Sequence, residues 1–189
     1  DEKKENDFGS GSIAIGASNK SGTDGQTKDI AIGIQNDASG NSMAIGEDNV
    51  VVGKNSIAIG YAINGKHNDV IGNYSIAVGF GHRITGNNSG AFGDPSYIAS
   101  DSAYAVGNNN NIIGDESFIV GNNSNINGKS SFAFGNKSDI TAENAIAFGN
   151  NTVVSGKNAI AIGEGSKATA ENGIAFGNNA IASHKNAVA

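Results

Sequence analysis

A five-residue phrase recurs along this chain at a nearly fixed interval. In "SFAFGNKSDITAENAIAFGNNTVVSGKNAIAIG", residues 131–163, it is written three times, as SFAFG, AIAFG and AIAIG. The glycines that close it are Gly16, Gly33, Gly46, Gly60, Gly79, Gly93, Gly107, Gly121, Gly135, Gly149, Gly163 and Gly177. Their spacings are 17, 13, 14 and 19, then 14 seven times over. A short period kept this strictly is the signature of a stacked-repeat architecture, and it constrains the fold more than any other feature.

Within each phrase the alternation has a period of two. Ile146 and Phe148 flank Ala147, and Ile160 and Ile162 flank Ala161. That period predicts a strand with its bulky residues on one face and Ala on the other. Neither face carries a charge, so both are expected to be covered. Five residues after each closing glycine stands a second apolar residue: Ile84, Ile98, Ile112, Ile126, Ile140, Val154, Ala168 and Ala182. Its small polar neighbours predict a weaker strand with one inward face. Gly and Asn at the two intervening turns tolerate positive φ, as in the Asn after the phrase glycine (Asn108, Asn122, Asn136, Asn150, Asn178).

Two short strands and two turns in 14 residues make one coil of a solenoid. At about 4.8 Å per coil, some twelve coils would stack over roughly 55–60 Å. Each coil supplies only about three apolar side chains to an interior, so one roll is thin. We expect the Ala face to lie outward as a continuous apolar stripe, and such a stripe marks an interface. Because it recurs on every coil, it predicts a parallel homo-oligomer about an axis along the stack.

Composition agrees with a turned repeat. The 189 residues include 28 Gly and a single Pro, and hydrophobic residues make up 38%. No cysteine is present, which removes disulfides and Cys-based metal sites. The net charge of −6, with scattered Lys, lacks the basic clustering of a nucleic-acid footprint. No apolar run approaches the roughly 20 residues needed to cross a bilayer. The charged opening "DEKKEND", residues 1–7, is expected to be a flexible N-terminal segment.

The phrases "NSMAIG" (41–46), "NSIAIG" (55–60), "NAIAFG" (144–149), "NAIAIG" (158–163) and "NGIAFG" (172–177) resemble the head repeat of YadA-like trimeric autotransporter adhesins. The 14-residue spacing and the small polar residue past the glycine (Ser138, Thr152, Ser166) match as well. The resemblance covers residues 8–189. It implies an all-β fold, a left-handed parallel β-roll of about twelve coils in a homotrimeric head. It implies adhesion to host extracellular matrix or to an immunoglobulin-like cell-adhesion receptor, and display on a bacterial cell surface. The outer-membrane anchor would then lie in a C-terminal region outside this sequence, and this part would make no membrane contact itself. Two phrases depart from the pattern: "SGAFG" (89–93) has Gly for a bulky residue, and "SFIVG" (117–121) has Ile119 for Ala.

Motifs of catalysis are weak against this background. "GEGSKA" (163–168) fits a dinucleotide fingerprint in letters, but the βαβ unit that the fingerprint needs is replaced by another coil. His67, His82 and His184 are the only histidines, with no second ligand at metal spacing. Acidic residues lack the Gly-Gly-x-Gly-x-Asp pattern of calcium-binding rolls. We therefore expect no enzyme, no cofactor and no metal. A left-handed β-helix acyltransferase is the alternative, disfavoured because its coils carry three faces of about six residues. An ice-binding solenoid would need flat Thr ladders in place of the mixed Asn, Asp, Lys and Ser found here.

Binding is expected where the count breaks, in inserted loops near 17–29 and 61–74, since loops on a rigid scaffold carry recognition. The stretch "YAINGKHNDVIGNY" holds Tyr61, Lys66, His67 and Tyr74, and the next coil adds Phe80, His82 and Arg83. Tyr97 follows the single proline, Pro95. Exposed aromatic and Arg residues are the types that anchor interfaces, and these eight are the candidate receptor-binding residues.

Overall fold

The computed structural model describes residues 5–22 and 28–189. Among them every regular element is a strand, and every pairing between named strands is parallel. Two kinds of strand alternate, as the two-strand coil requires. Six phrase strands fall in the first compact unit, Asp1–Pro95, and six in the second, Ser96–Ala189.

In the first unit the phrase strands are Ile13–Ala17, Ile30–Ile34, Met43–Glu47, Ile57–Gly60, Ile76–Gly79 and Gly90–Gly93. They pair without slip, so that Ala14, Ala31, Ala44, Ala58, Ala77 and Ala91 form one column. The short strands Lys20–Ser21, Asp37–Ala38, Val50–Val51, Asp69–Val70 and Arg83–Ile84 form a second parallel sheet in the same order. In the second unit the column Ala105, Ile119, Ala133, Ala147, Ala161 and Ala175 runs through the phrase strands. Ile98, Ile112, Ile126, Ile140, Val154, Ala168 and Ala182 run through the short ones. The period of two and the 14-residue register are thus realised as stacked coils.

The orientation of the phrase strand is the reverse of the expectation. Ala faces the interior: Ala44, Ala133, Ala147 and Ala161 are fully buried. The bulky residues point out, with Phe148 52% and Phe176 69% exposed. The reason is space. The short strand already places Ile or Val inside, and a coil this flat leaves the facing strand room for little more than a methyl group. Close approach of successive coils is visible at Gly33, whose φ is +123°. A Cβ there would run into the carbonyl of Gly46, one coil on.

Polar columns close the interior at each corner. Asn19, Asn36 and Asn49 each donate from Nδ2 to the carbonyl four residues back, Ile15, Ile32 or Ile45, at 2.9–3.1 Å. Each donates again to the phrase glycine of the next coil, Gly33, Gly46 or Gly60, at 2.8–2.9 Å. Their Oδ1 atoms accept from the following ladder residue. At the other corner Ser42, Ser56, Ser75, Ser117 and Ser131 donate to a carbonyl of the next coil at 2.7–3.0 Å. Ser138, Thr152 and Ser166 are buried at the Asn corner, three residues after a phrase glycine. Small polar residues that read as turn fillers therefore satisfy backbone groups that would otherwise be buried without partners.

Of the charged opening segment expected to be flexible, residues 1–4 lie outside the described ones. Its end is part of the roll: Asp7–Phe8 pairs with Lys20–Ser21, and the Asn6 Oδ1 accepts from the Asn19 backbone N–H at 2.9 Å. Residues 23–27 of the expected 17–29 loop also lie outside the described residues, while Lys20–Ser21 is an ordinary short strand.

Candidate functional site

The second insertion is shorter than its sequence suggests. Asp69–Val70 is in register with Val50–Val51, so the extra residues lie between Gly60 and Asp69, and the chain from Asp69 onward resumes an ordinary coil. They form a miniature hairpin. Ile63 and Lys66 exchange backbone hydrogen bonds at 3.0 Å each way, across Asn64 at φ +52° and Gly65 at φ +73°. Asn-Gly with both residues at positive φ is the two-residue turn that matches strand twist.

Around this hairpin the structure gathers four of the eight candidates. The Tyr61 and Phe80 rings stack with centroids 6.0 Å apart. Both follow a phrase glycine, so they extend the outward face of the phrase strands by one residue. Lys66 leans over Gly81, where an added Cβ would meet the Pro95 Cγ at 3.1 Å and the Lys66 Cβ at 3.4 Å. The His67 Nδ1 lies 3.4 Å from Asp48 Oδ2. Tyr61 and Lys66 are exposed, and Phe80 and His67 half-exposed. The result is an apolar, partly cationic corner fixed on a stacked backbone.

The other four candidates lie elsewhere. Tyr74 occupies the opposite corner, where its N–H donates to the Lys54 carbonyl at 2.8 Å. Arg83 is on the outer face of the short-strand sheet, its Nη1 3.5 Å from Asp69 Oδ2. Tyr97, in the second unit, is exposed beside Asn111.

His82 is not on the surface at all, contrary to its expected place among exposed binding residues: it is fully buried. It stands three residues after a phrase glycine, in the ladder position of Asn19, Asn36 and Asn49. That register, readable in the sequence, was the signal for its burial. Desolvation lowers its pKa below the ordinary 6.5, against hydrogen bonds to the Val78 and Gly93 carbonyls and the charge of Asp94, which raise it.

Tyr74 has a feature that no sequence period reveals. Its φ is +55°, the left-handed region, at a corner position that most other coils fill with Asn (Asn41, Asn55, Asn88, Asn144, Asn158, Asn172, Asn186) and three with Ser102, Glu116 or Ser130. Asn is at ease there, and a bulky aromatic side chain is not. The ring is nevertheless 63% exposed, so burial does not offset the strain. Among the described residues no group of three or more His, Cys, Asp or Glu side chains could hold a metal.

Stacked parallel coils with a small-residue interior and an outward apolar stripe define a β-solenoid. The YadA head domain repeat (2 copies) is matched at residues 40–62, 141–166, 155–180 and 168–189. Those segments carry the repeat of a YadA-like head, the repeat of trimeric autotransporter adhesins, and the stacked coils agree with it. No curated protein matches it.

Proposed function

We propose that this head is a binding module, not an enzyme, that attaches a bacterium to host extracellular matrix or to an immunoglobulin-like cell-adhesion receptor. Three chains would associate in parallel as a left-handed roll trimer, carried at the cell surface by an outer-membrane anchor elsewhere in the protein. The observation that carries the reading is the outward stripe of Ile and Phe on phrase after phrase, within a fold whose family is adhesive. An apolar face of that length is stable in water only when covered. Trimerisation covers it and triples every exposed corner, so weak contacts act together through valency.

The residues proposed to meet the receptor are Tyr61, Lys66, His67 and Phe80 around the hairpin, with Tyr74, Arg83 and Tyr97 as further contacts. Tyr74 has the strongest individual case, because an exposed residue held in a strained conformation points to selection for something other than stability. The test is capture of matrix proteins and cell-surface receptors on the purified oligomer. A variant in which residues 61–68 are cut to the three that a regular coil has there is run in parallel. Retained capture by that variant would remove the hairpin corner from the site, and no capture by the parent would overturn the adhesive reading.

A further inference from the structure

The buried Asn ladder of the first unit runs Asn19, Asn36, Asn49, Asn68 and then His82. The histidine copies the donors of the carboxamide. Its Nε2 lies 3.2 Å from the Val78 carbonyl, four residues back, and 3.0 Å from the Gly93 carbonyl, one coil on. Those are the two carbonyl partners of Nδ2 in Asn19, Asn36 and Asn49. Both neighbours of Nε2 only accept, so Nε2 carries the proton and the tautomer is fixed. Nδ1 is buried and has no hydrogen-bond partner. A neutral ring fits this site; a doubly protonated ring would bury an N–H with nothing to receive it.

The charged groups nearby do not remove that conflict. Asp94, in the following corner, favours the protonated ring and works against the effect. Asp69 and Arg83 face outward from the short-strand sheet and pair with each other. The neighbour on the preceding coil, Asn68, is neutral, and its Oδ1 accepts from the His82 backbone N–H at 3.1 Å. His67 is engaged with Asp48, and Lys66 stands over Gly81.

We propose that His82 makes the last coil of the first unit an acid-responsive element, closed while the ring is neutral and opening locally when Nδ1 takes a proton. Phe80 lies two residues before His82, so opening releases its stack on Tyr61 and the seat of Lys66 on Gly81. The corner would thus lose its shape in mild acid, whatever it binds. The sign is set by linkage. The open coil has a histidine of ordinary pKa, near 6.5, and the closed coil a lower one. Stability is complete above about 6.5 and falls as the pH drops from there toward the closed-state value. With one proton involved, the open form gains at most about tenfold per pH unit over that window.

The experiment is hydrogen exchange of residues 80–93 between pH 7.5 and 5, corrected for intrinsic exchange, in the parent and in His82→Asn and His67→Asn variants. Nitrogen NMR of the histidine rings is recorded in the parent over the same range. Protection that falls by up to about tenfold per pH unit below 6.5 in the parent and His67→Asn, but stays level in His82→Asn, supports the proposal. A His82 ring that stays neutral with Nε2 protonated where free histidine in the same buffer titrates does so too. The same pH dependence in His82→Asn, or a His82 ring titrating together with free histidine, would overturn it.

Discussion

Phe134 and Phe148 stack on the outside of neighbouring coils, their centroids 5.2 Å apart and their planes 10° apart. Both are exposed, and Phe118 and Phe132 repeat the contact at 5.2 Å. A side-chain ladder of this kind stiffens the roll and at the same time presents a flat apolar strip. If the strip is the subunit interface, polar residues there should weaken association without emptying the interior. Phe134→Ser with Phe148→Ser is expected to shift the oligomer toward monomer by light scattering, with the β-sheet circular dichroism retained. An unchanged mass would place the interface on another face.

Tyr74 separates stability from binding. Replacing it with Asn gives the corner the residue used at seven of its equivalents, so left-handed strain of about 1–2 kcal/mol is relieved. The Tyr74→Asn variant should therefore melt higher than the parent. If the ring meets the receptor, the same variant should also lose affinity. A variant that is destabilised would show that the ring makes a contribution within the roll.

The 14-residue register made most of the fold legible before any coordinates. It placed both strands, and it picked out Ile84, Ile98, Ile112, Ile126, Ile140 and Val154 as interior residues, all of which are buried. The facing of the phrase strand was not legible, because alternation says that two faces differ but not which is inside. Volume decides that, and volume depends on the distance to the opposite strand. The inward polar columns were illegible for a related reason: Asn49 and Ser56 read as turn residues until the carbonyls they satisfy are seen. Of the candidate site, the composition of the 61–67 hairpin was readable, and so was the ladder register of His82 once the ladder is known to face inward, whereas the strain at Tyr74 depends on backbone path.

The narrow interior predicts that opposite volume changes in one column both destabilise. Ile119 fills a place that Ala occupies on the neighbouring coils, and it is fully buried. Ile119→Ala should cost about 2–5 kcal/mol through lost contacts and a residual cavity. Ala147→Ile, which adds bulk where the short strands already supply Ile140 and Val154, should cost about 1–3 kcal/mol through overpacking. Chemical denaturation of both variants checks the pair. A neutral Ala147→Ile would mean that the coil is wider than the buried column indicates.

Asn49 is bonded on both sides within the polar ladder. Its Nδ2 donates to Asn36 Oδ1 at 2.9 Å, the Ile45 carbonyl at 3.1 Å and the Gly60 carbonyl at 2.9 Å. Its Oδ1 accepts from Asn68 Nδ2 at 2.8 Å. Truncation to Ala would leave these buried groups without partners, each worth about 1–3 kcal/mol when stranded. Relaxation and water entry reduce the sum, so the expected loss for Asn49→Ala is about 3–5 kcal/mol, at the upper end for a single substitution. Asn49→Ser should lose less, because Ser124 and Ser138 hold the same register in the second unit with a single hydroxyl donating to the next glycine carbonyl at 3.1 and 3.2 Å. Equal losses for the two variants would show that volume, not hydrogen bonding, fixes this corner.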